Sequence, residues 1–180
     1  MVQIALLIET QHRADREILS NGRTKENIYG RYNFKYTVGC QISTGKICTV
    51  MGPDGGSKSD IKALREGFAA IVTSWDPFEV MLADKGYQGH WRCLSPFKGR
   101  DKLPEEDAFN EVLASVRILV ECTLKRIKQF GVLGNRGRYR CNRKSHRQVF
   151  NVCCQITNVC LDFEPTWQHT NWYLLAIENT

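Results

Sequence analysis

The opening stretch Met1–Thr10, MVQIALLIET, is apolar almost throughout, and it meets no turn residue before ending on Glu9–Thr10. It lacks the strict alternation of a strand with one wet face, so its pattern is that of a strand from the middle of a sheet, covered on both sides. Such a strand needs neighbours on either side and a layer of structure on each face, which excludes a helical bundle and a lone hairpin. Because this central strand begins at the first residue, the sequence reads as a fragment or truncated gene product. Glu79–Ala83, EVMLA, is a second buried-strand run, ended by Asp84–Lys85–Gly86.

The segments between and after these runs supply the remaining layers. Asn33–Ser43 and Lys46–Met51 are rich in aromatic and β-branched residues, and the short Thr44–Gly45 link predicts an antiparallel hairpin. GPDGGSKS at Gly52–Ser59 reads as a loop. Asp60–Val72 carries Ile61, Leu64, Phe68, Ile71 and Val72 at helical spacing, with Ser59 as N-cap. Leu94–Pro104 is a loop, Glu105–Phe130 a long helix, and Ser145–Leu161 a last helix, after glycines that break the pattern from Gly131. The order β, ββ, α, β, α, α predicts an α/β fold, a mixed sheet flanked by helices, in outline the ribonuclease-H-like order. One domain spans 1–161, and 162–180 forms a tail.

With 180 residues and 42% hydrophobic content the chain can build a real core. No stretch approaches the ~20 apolar residues of a membrane span. The eight cysteines contain no C-x2-C pair, so the pattern favours reduced, mostly buried thiols in an intracellular protein over a structural zinc site.

Three acids stand at positions with chemical potential. Asp84 follows a buried strand directly, where open α/β sheets place ligands. Glu9 ends the first strand in the same way. Glu121 lies inside the long helix. At about 100° per residue, Asn110, Arg117, Glu121 and Lys128 fall near one line, beside the apolar face of Phe109, Leu113, Val116, Val120, Leu124 and Ile127. Glu121 is therefore either one half of a helix-surface ion pair or a ligand reaching over the sheet edge. If the two acid-ended strands are neighbours, Glu9, Asp84 and Glu121 converge. Three carboxylates make an all-oxygen site for hard Mg²⁺ or Mn²⁺, the kind of site that activates water at a phosphodiester.

The net charge of +6 is unevenly spread: RGRYRCNRKSHR, residues 136–147, holds six Lys/Arg and no acid. Arg136, Arg138, Arg140, Arg143, Lys144 and Arg147, with Lys125 and Lys128 on the long helix, are candidates for sequence-independent phosphate contacts with DNA.

Several motifs now fall in order. Tyr29 with Tyr36–Thr37–Val38 and Gln41 resembles a "YSGKKK-x-H-T-L-K-x-Q" segment. Gly52–Pro53 through Ser59–Asp60–Ile61 and Leu64–Arg65–Glu66 resembles "PGS-x-x-D-x-x-x-L-R-E". Ala83–Asp84–Lys85–Gly86–Tyr87 resembles "AD-x-GY". Phe109–Asn110, Arg117, Val120–Glu121 and Lys128 resemble "FN…R-x-x-VE…LK", and Val152–Cys153–Cys154 with Asn158 its closing helix. From about Ala5 to Asn158 the chain thus resembles the DDE endonuclease domain of PIF/Harbinger- and IS5-type transposases. That resemblance implies an RNase-H-like fold and two-metal cutting and strand transfer on DNA. It also implies a nuclear location and a site in which Asp84 and Glu121 match the second and third catalytic acids. Three departures accompany it. The family's first Asp, usually in "DGT", is matched by Glu9, whose extra methylene shifts the carboxylate by about 1.5 Å; a misplacement of about 1 Å can cost ~100-fold in rate. Tyr36 and Gly39 stand where the family has His and Lys. The DNA-binding region that usually precedes the domain is absent from the sequence, and the partners the resemblance suggests are DNA and a separate DNA-binding protein. The alternative is a decayed transposon remnant that acts only as a DNA- or protein-binding module.

Overall fold

A computed structural model of the chain describes residues 5–13, 33–55, 58–72, 79–133 and 142–166, with the backbone alone for 5–13, 33 and 68–72. The first apolar run does become a central strand. Among the described residues the sheet has the order β3-β2-β1-β4-β5, with β1 (Ala5–Arg13) in the middle. β2 (Asn33–Gln41) runs antiparallel to β1, and β3 (Ile47–Gly55) antiparallel to β2. β4 (Met81–Ala83) and β5 (Cys93–Leu94) continue the sheet in parallel on the other side. The sheet is mixed, as the element order predicts.

Several details differ from the sequence reading. β1 continues past Thr10 to Arg13, so Glu9 lies within the strand rather than at its end. β3 extends through Pro53, Asp54 and Gly55, where a loop is expected from Gly52. As an edge strand, β3 can carry a residue with no N–H to donate. A register shift in β2 between Lys35 and Thr37 accommodates the change of pairing. Gly52 is required there: its φ is +110°, and a Cβ would lie 2.6 Å from the Lys35 carbonyl oxygen. β5 was not anticipated, because two residues carry no periodicity that a sequence can display.

The helices divide between the faces. α1 (Asp60–Val72) covers one, where Leu64 packs with Met51, Met81, Ala83 and Tyr87. α2 (Pro104–Gln129) and α3 (Arg143–Phe163) cover the other, where Leu113, Val116, Val120, Leu124, Ile127, Phe150, Cys153 and Cys154 close over Tyr36, Val38, Cys40 and Leu82. α2 starts on Pro104 at its first position, and Glu106 reaches back to accept from the Leu103 N–H at 3.1 Å. α3 starts two residues before the expected Ser145, because Asn142 is its cap and accepts from the Ser145 N–H at 2.8 Å.

Polar contacts pin the second face. Asn158 accepts from the Ile47 N–H (2.8 Å) and donates to the Ile47 carbonyl (2.9 Å), fastening α3 to the edge of the sheet. Thr123 Oγ1 donates to the Gly45 carbonyl at 3.1 Å, fastening α2 to the hairpin. At the start of α3, buried His146 shares a 2.8 Å hydrogen bond through Nδ1 with the Tyr36 hydroxyl, whose ring stacks on Phe150.

Candidate active site

Asp84 is the first residue beyond β4. Its Oδ1 accepts from the Lys85 N–H at 2.8 Å and so caps the short 3-10 turn Lys85–Tyr87. Tyr87 is buried with Leu64 and Met81, which ties the turn to the α1 face. Gly86 backs onto the side chain of Asp60, the first residue of α1. Asp60 is held in turn by an ion pair with buried Lys35, which also donates to the Lys58 carbonyl at 2.8 Å. Lys58 closes the row with ion pairs to Asp54 and Glu66, both at 2.7 Å. The turn that presents Asp84 is thus buttressed by buried and half-buried charge rather than by apolar packing alone.

Glu121 comes from the opposite layer, on α2. Arg117, one turn earlier, lies between the two acids: Nη1 is 3.4 Å from Asp84 Oδ1, and Nη2 is 3.6 Å from Glu121 Oε1. Asp84 and Glu121 therefore converge on one cation. The contacts are longer than close charge-assisted hydrogen bonds. The carboxylate side chains are 43% and 58% exposed, so each pair is worth only about 0–1 kcal/mol. A stronger cation can displace the guanidinium at little cost. Arg117 Nε is buried and without a hydrogen-bond partner, so the side chain is only partly satisfied where it stands. The Arg117–Glu121 spacing was legible in the sequence as an i,i+4 pair; the contact with Asp84 depends on how α2 crosses the sheet, which local spacing does not carry.

Glu9 is placed by backbone register. Leu7 pairs with Ala83, so Ile8 stands level with Asp84 and Glu9 one residue beyond. Cross-strand partners share a face. Positions 6, 8 and 10 pair with Cys40, Val38 and Tyr36, whose side chains pack under α2 and α3. Positions 7 and 9 pair with Gly39 and Thr37, and position 7 also with Ala83, whose side chain packs under α1. The position of Glu9 thus belongs to the α1 face, and Glu121 to a helix on the other. The β1 and β4 strands are neighbours, as convergence requires, and the backbone of Glu9 lies one residue beyond the level of Asp84.

This donor set can be weighed against a divalent ion. Two carboxylates already gathered around one cation suit a single hard ion with oxygen ligands. Among the described residues, no group of three His, Cys, Asp or Glu side chains is arranged to hold a metal.

Basic side chains flank the acids on two sides. Lys125 and Lys128 are exposed on α2, within about 40° of Glu121 around the helix and ~6 and ~10 Å along it. Arg143, Lys144 and Arg147 are exposed at the start of α3. The Arg143 guanidinium lies 6.0 Å from the ring centre of Phe34, whose backbone partner is His12. This is the end of the sheet at which Asp84 emerges. Arg136, Arg138 and Arg140 lie outside the described residues.

The family model described as DDE superfamily endonuclease matches residues 10–158. No curated protein and no solved structure matches the chain significantly. No helix among the described residues is long and apolar enough to cross a membrane.

Proposed function

The chain belongs to the DDE superfamily endonucleases, and from that premise we propose that it is a divalent-metal-dependent DNA endonuclease domain of transposase type, with Asp84 and Glu121 as its metal-binding acids. The observation that carries this reading is the meeting of those acids, one from a strand end and one from α2, on the single cation Arg117. The strand order β3-β2-β1-β4-β5, antiparallel on one side of β1 and parallel on the other, supports an RNase-H-like fold. The motif order supports the PIF/Harbinger- and IS5-like branch, and with that branch goes the proposal of a nuclear location.

Within this reading the chain's residues divide the work. Asp84 and Glu121 supply oxygen donors, and the charged buttress of Lys35 and Asp60 behind Gly86 holds the turn carrying Asp84. Arg117 neutralises the acids until they are engaged. Lys125, Lys128, Arg143, Lys144 and Arg147 hold the phosphate backbone. A bound Mg²⁺ or Mn²⁺ would supply Lewis-acid polarisation of a phosphodiester oxygen and a water of lowered pKa.

Incubating supercoiled DNA with the protein and Mn²⁺ tests the proposal. Nicking that is lost in Asp84→Ala and Glu121→Ala is the expected result; no nicking, or equal nicking by the variants, overturns it. A second reading, a remnant that binds DNA without cutting it, is favoured by the position of Glu9 on the α1 face. It predicts salt-sensitive DNA binding with no metal-dependent cleavage.

A further inference from the structure

We infer that the loop Pro96–Arg100 grips an unpaired DNA strand beside the candidate active site, with Phe97 as the platform for a base and Lys98 and Arg100 as contacts for the flanking phosphates. The inference rests on the reading of Asp84 and Glu121 as the acids of a DNA endonuclease, and it names the form of DNA held next to them. Two independent observations place the loop there. In the parallel β4–β5 pair Met81 is opposite Cys93 and Leu82 opposite Leu94. Two residues further along each strand, Asp84 stands level with Pro96, one strand spacing of about 4.8 Å away. Gln88, just beyond the turn that Asp84 caps, donates to the Pro96 carbonyl at 3.1 Å. The turn and the loop therefore leave the sheet at the same edge and are tied to each other.

α2 fixes the loop from the other side. Asn110 Oδ1 accepts from the Phe97 N–H at 2.9 Å, and Asn110 Nδ2 donates to the Phe97 carbonyl at 3.3 Å. One side chain thus holds both backbone groups of Phe97. Asn110 precedes Arg117 by two turns of helix, about 10 Å along the axis and about 20° around it. Arg117 is the residue that touches both acids. The line of α2 that carries the acid contact also carries the anchor of Phe97.

The exposed chemistry of the loop fits one class of ligand. The Phe97 ring meets Phe109 edge-on, with centroids 5.5 Å apart and planes at 77°, and the residue stays 44% exposed. Lys98 and Arg100 follow it, both exposed, and among the described residues neither meets an acid at ion-pair distance. Lys102 is neutralised by Asp107 at 2.9 Å. Gly99, between the two free cations, has φ of +120° and open space where a Cβ would stand, a backbone turn that glycine permits. An aromatic ring beside unneutralised cations matches a single strand, whose bases stack on the ring while its phosphates meet the charges. Bases inside a duplex are already stacked on both sides and present no such face. The ligand is therefore an unpaired nucleotide, at a strand end or in an opened segment.

The test is binding by the full 180-residue chain, without divalent metal so that no strand is cut, read by fluorescence anisotropy. Two probes are compared: single-stranded oligo-dT of about 20 nucleotides, longer than one binding site, and an abasic sugar-phosphate strand of the same length. Wild type is expected to prefer oligo-dT. Phe97→Ala is expected to weaken oligo-dT binding about fivefold or more while leaving the abasic strand unchanged, and Phe97→Tyr to keep the preference. The double variant Lys98→Gln with Arg100→Gln is expected to weaken both probes alike and to lower the slope of log K against log salt by about 0.7 per lost contact. The readout is a ratio of two affinities on one protein, so a general loss of folded protein does not imitate it. Should Phe97→Ala fail to fold, Phe97→Leu, which keeps an apolar contact with Phe109 and removes the ring, decides in its place. A wild type without base preference, a preference that survives loss of the ring, or an unchanged salt slope in the double variant overturns the inference and leaves the nicking test of Asp84 and Glu121 standing. Absence of any DNA binding by wild type overturns the inference and the reading beneath it together.

Discussion

Gly86→Ala is the smallest change that reaches the candidate site, and its cost can be worked from the packing of the turn. A Cβ on Gly86 would press onto Asp60, lying 3.1 Å from its Cγ, 3.3 Å from its Cβ and closer still to Oδ2. A flexible acid on an open surface would swing away. Asp60 cannot do so freely, because its carboxylate is committed to Lys35, a residue only 3% exposed. Breaking a buried ion pair costs roughly 3–5 kcal/mol. The cheaper response is a small displacement of the turn and the start of α1, in the range of roughly 1–3 kcal/mol for an overpacked site. Gly86 does not have a positive φ, so no backbone penalty adds to this. Replacing glycine also stiffens the unfolded chain, which returns about 0.4–1 kcal/mol. The net expectation is a loss of about 1–2 kcal/mol, or a fall in Tm of about 2–8 °C for a chain of this size.

The diagnostic experiment is a double-mutant cycle with Asp60→Ala, read by urea denaturation. Asp60→Ala alone is strongly destabilising, because buried Lys35 loses this counter-charge. In that background Gly86→Ala meets no carboxylate and only the Cβ at 3.3 Å, so its cost falls to near zero. Equal costs for Gly86→Ala in both backgrounds would refute the steric argument and the idea that Asp60 buttresses the turn.

Three further outcomes follow from other parts of the molecule. Burial pushes the His146 imidazole below its ordinary pKa, so the stability it carries is full above about pH 6.5, its unfolded value, and is lost as pH falls towards the lower folded value; His90 shifts in the same direction through burial and Arg65. Tm is therefore expected to drop between pH 7.5 and 5, and the drop to shrink in His146→Gln; an undiminished drop contradicts the assignment. Burial raises the Cys93 and Cys154 thiols to about 12 and Cys40 higher still, so iodoacetamide at neutral pH should label exposed Cys160 before any of these, and mass spectrometry showing Cys154 labelled equally fast would refute the packing. Replacing Arg143, Lys144 and Arg147 together with Gln should lower the slope of log K against log salt for duplex DNA by up to about 0.9 per lost phosphate contact; an unchanged slope removes the start of α3 from the DNA interface.

What the sequence revealed and what it concealed follow from the range of the interactions involved. The central β1, the hairpin and α2 are legible because each is encoded in a run long enough to show its period. β5 and the Lys85–Tyr87 turn are not: they exist because β4 offers an open edge and because Asp84 can cap a turn, and both conditions come from outside the segment. The early start of α3 rests on Asn142, a capping residue hidden within a run of basic side chains. The Lys35–Asp60 pair is the least legible element, since it joins residues 25 apart in the chain and buries a lysine that composition alone would assign to the surface.

The same distinction explains why Asp84 and Glu9 look equivalent in sequence and are not equivalent in the fold. Each is an acid at the end of an apolar run, and a linear pattern does not record strand parity in a run that is apolar on both faces. Parity is supplied by the partners: Tyr36, Val38 and Cys40 turn towards α2 and α3, while Lys35 turns towards Asp60 of α1. Once β2 is oriented by that contrast, antiparallel pairing with β1 leaves no choice for position 9. The register of the β1–β2 pair, with Tyr36 of β2 stacked on Phe150 of α3, therefore places the backbone of position 9 opposite Thr37.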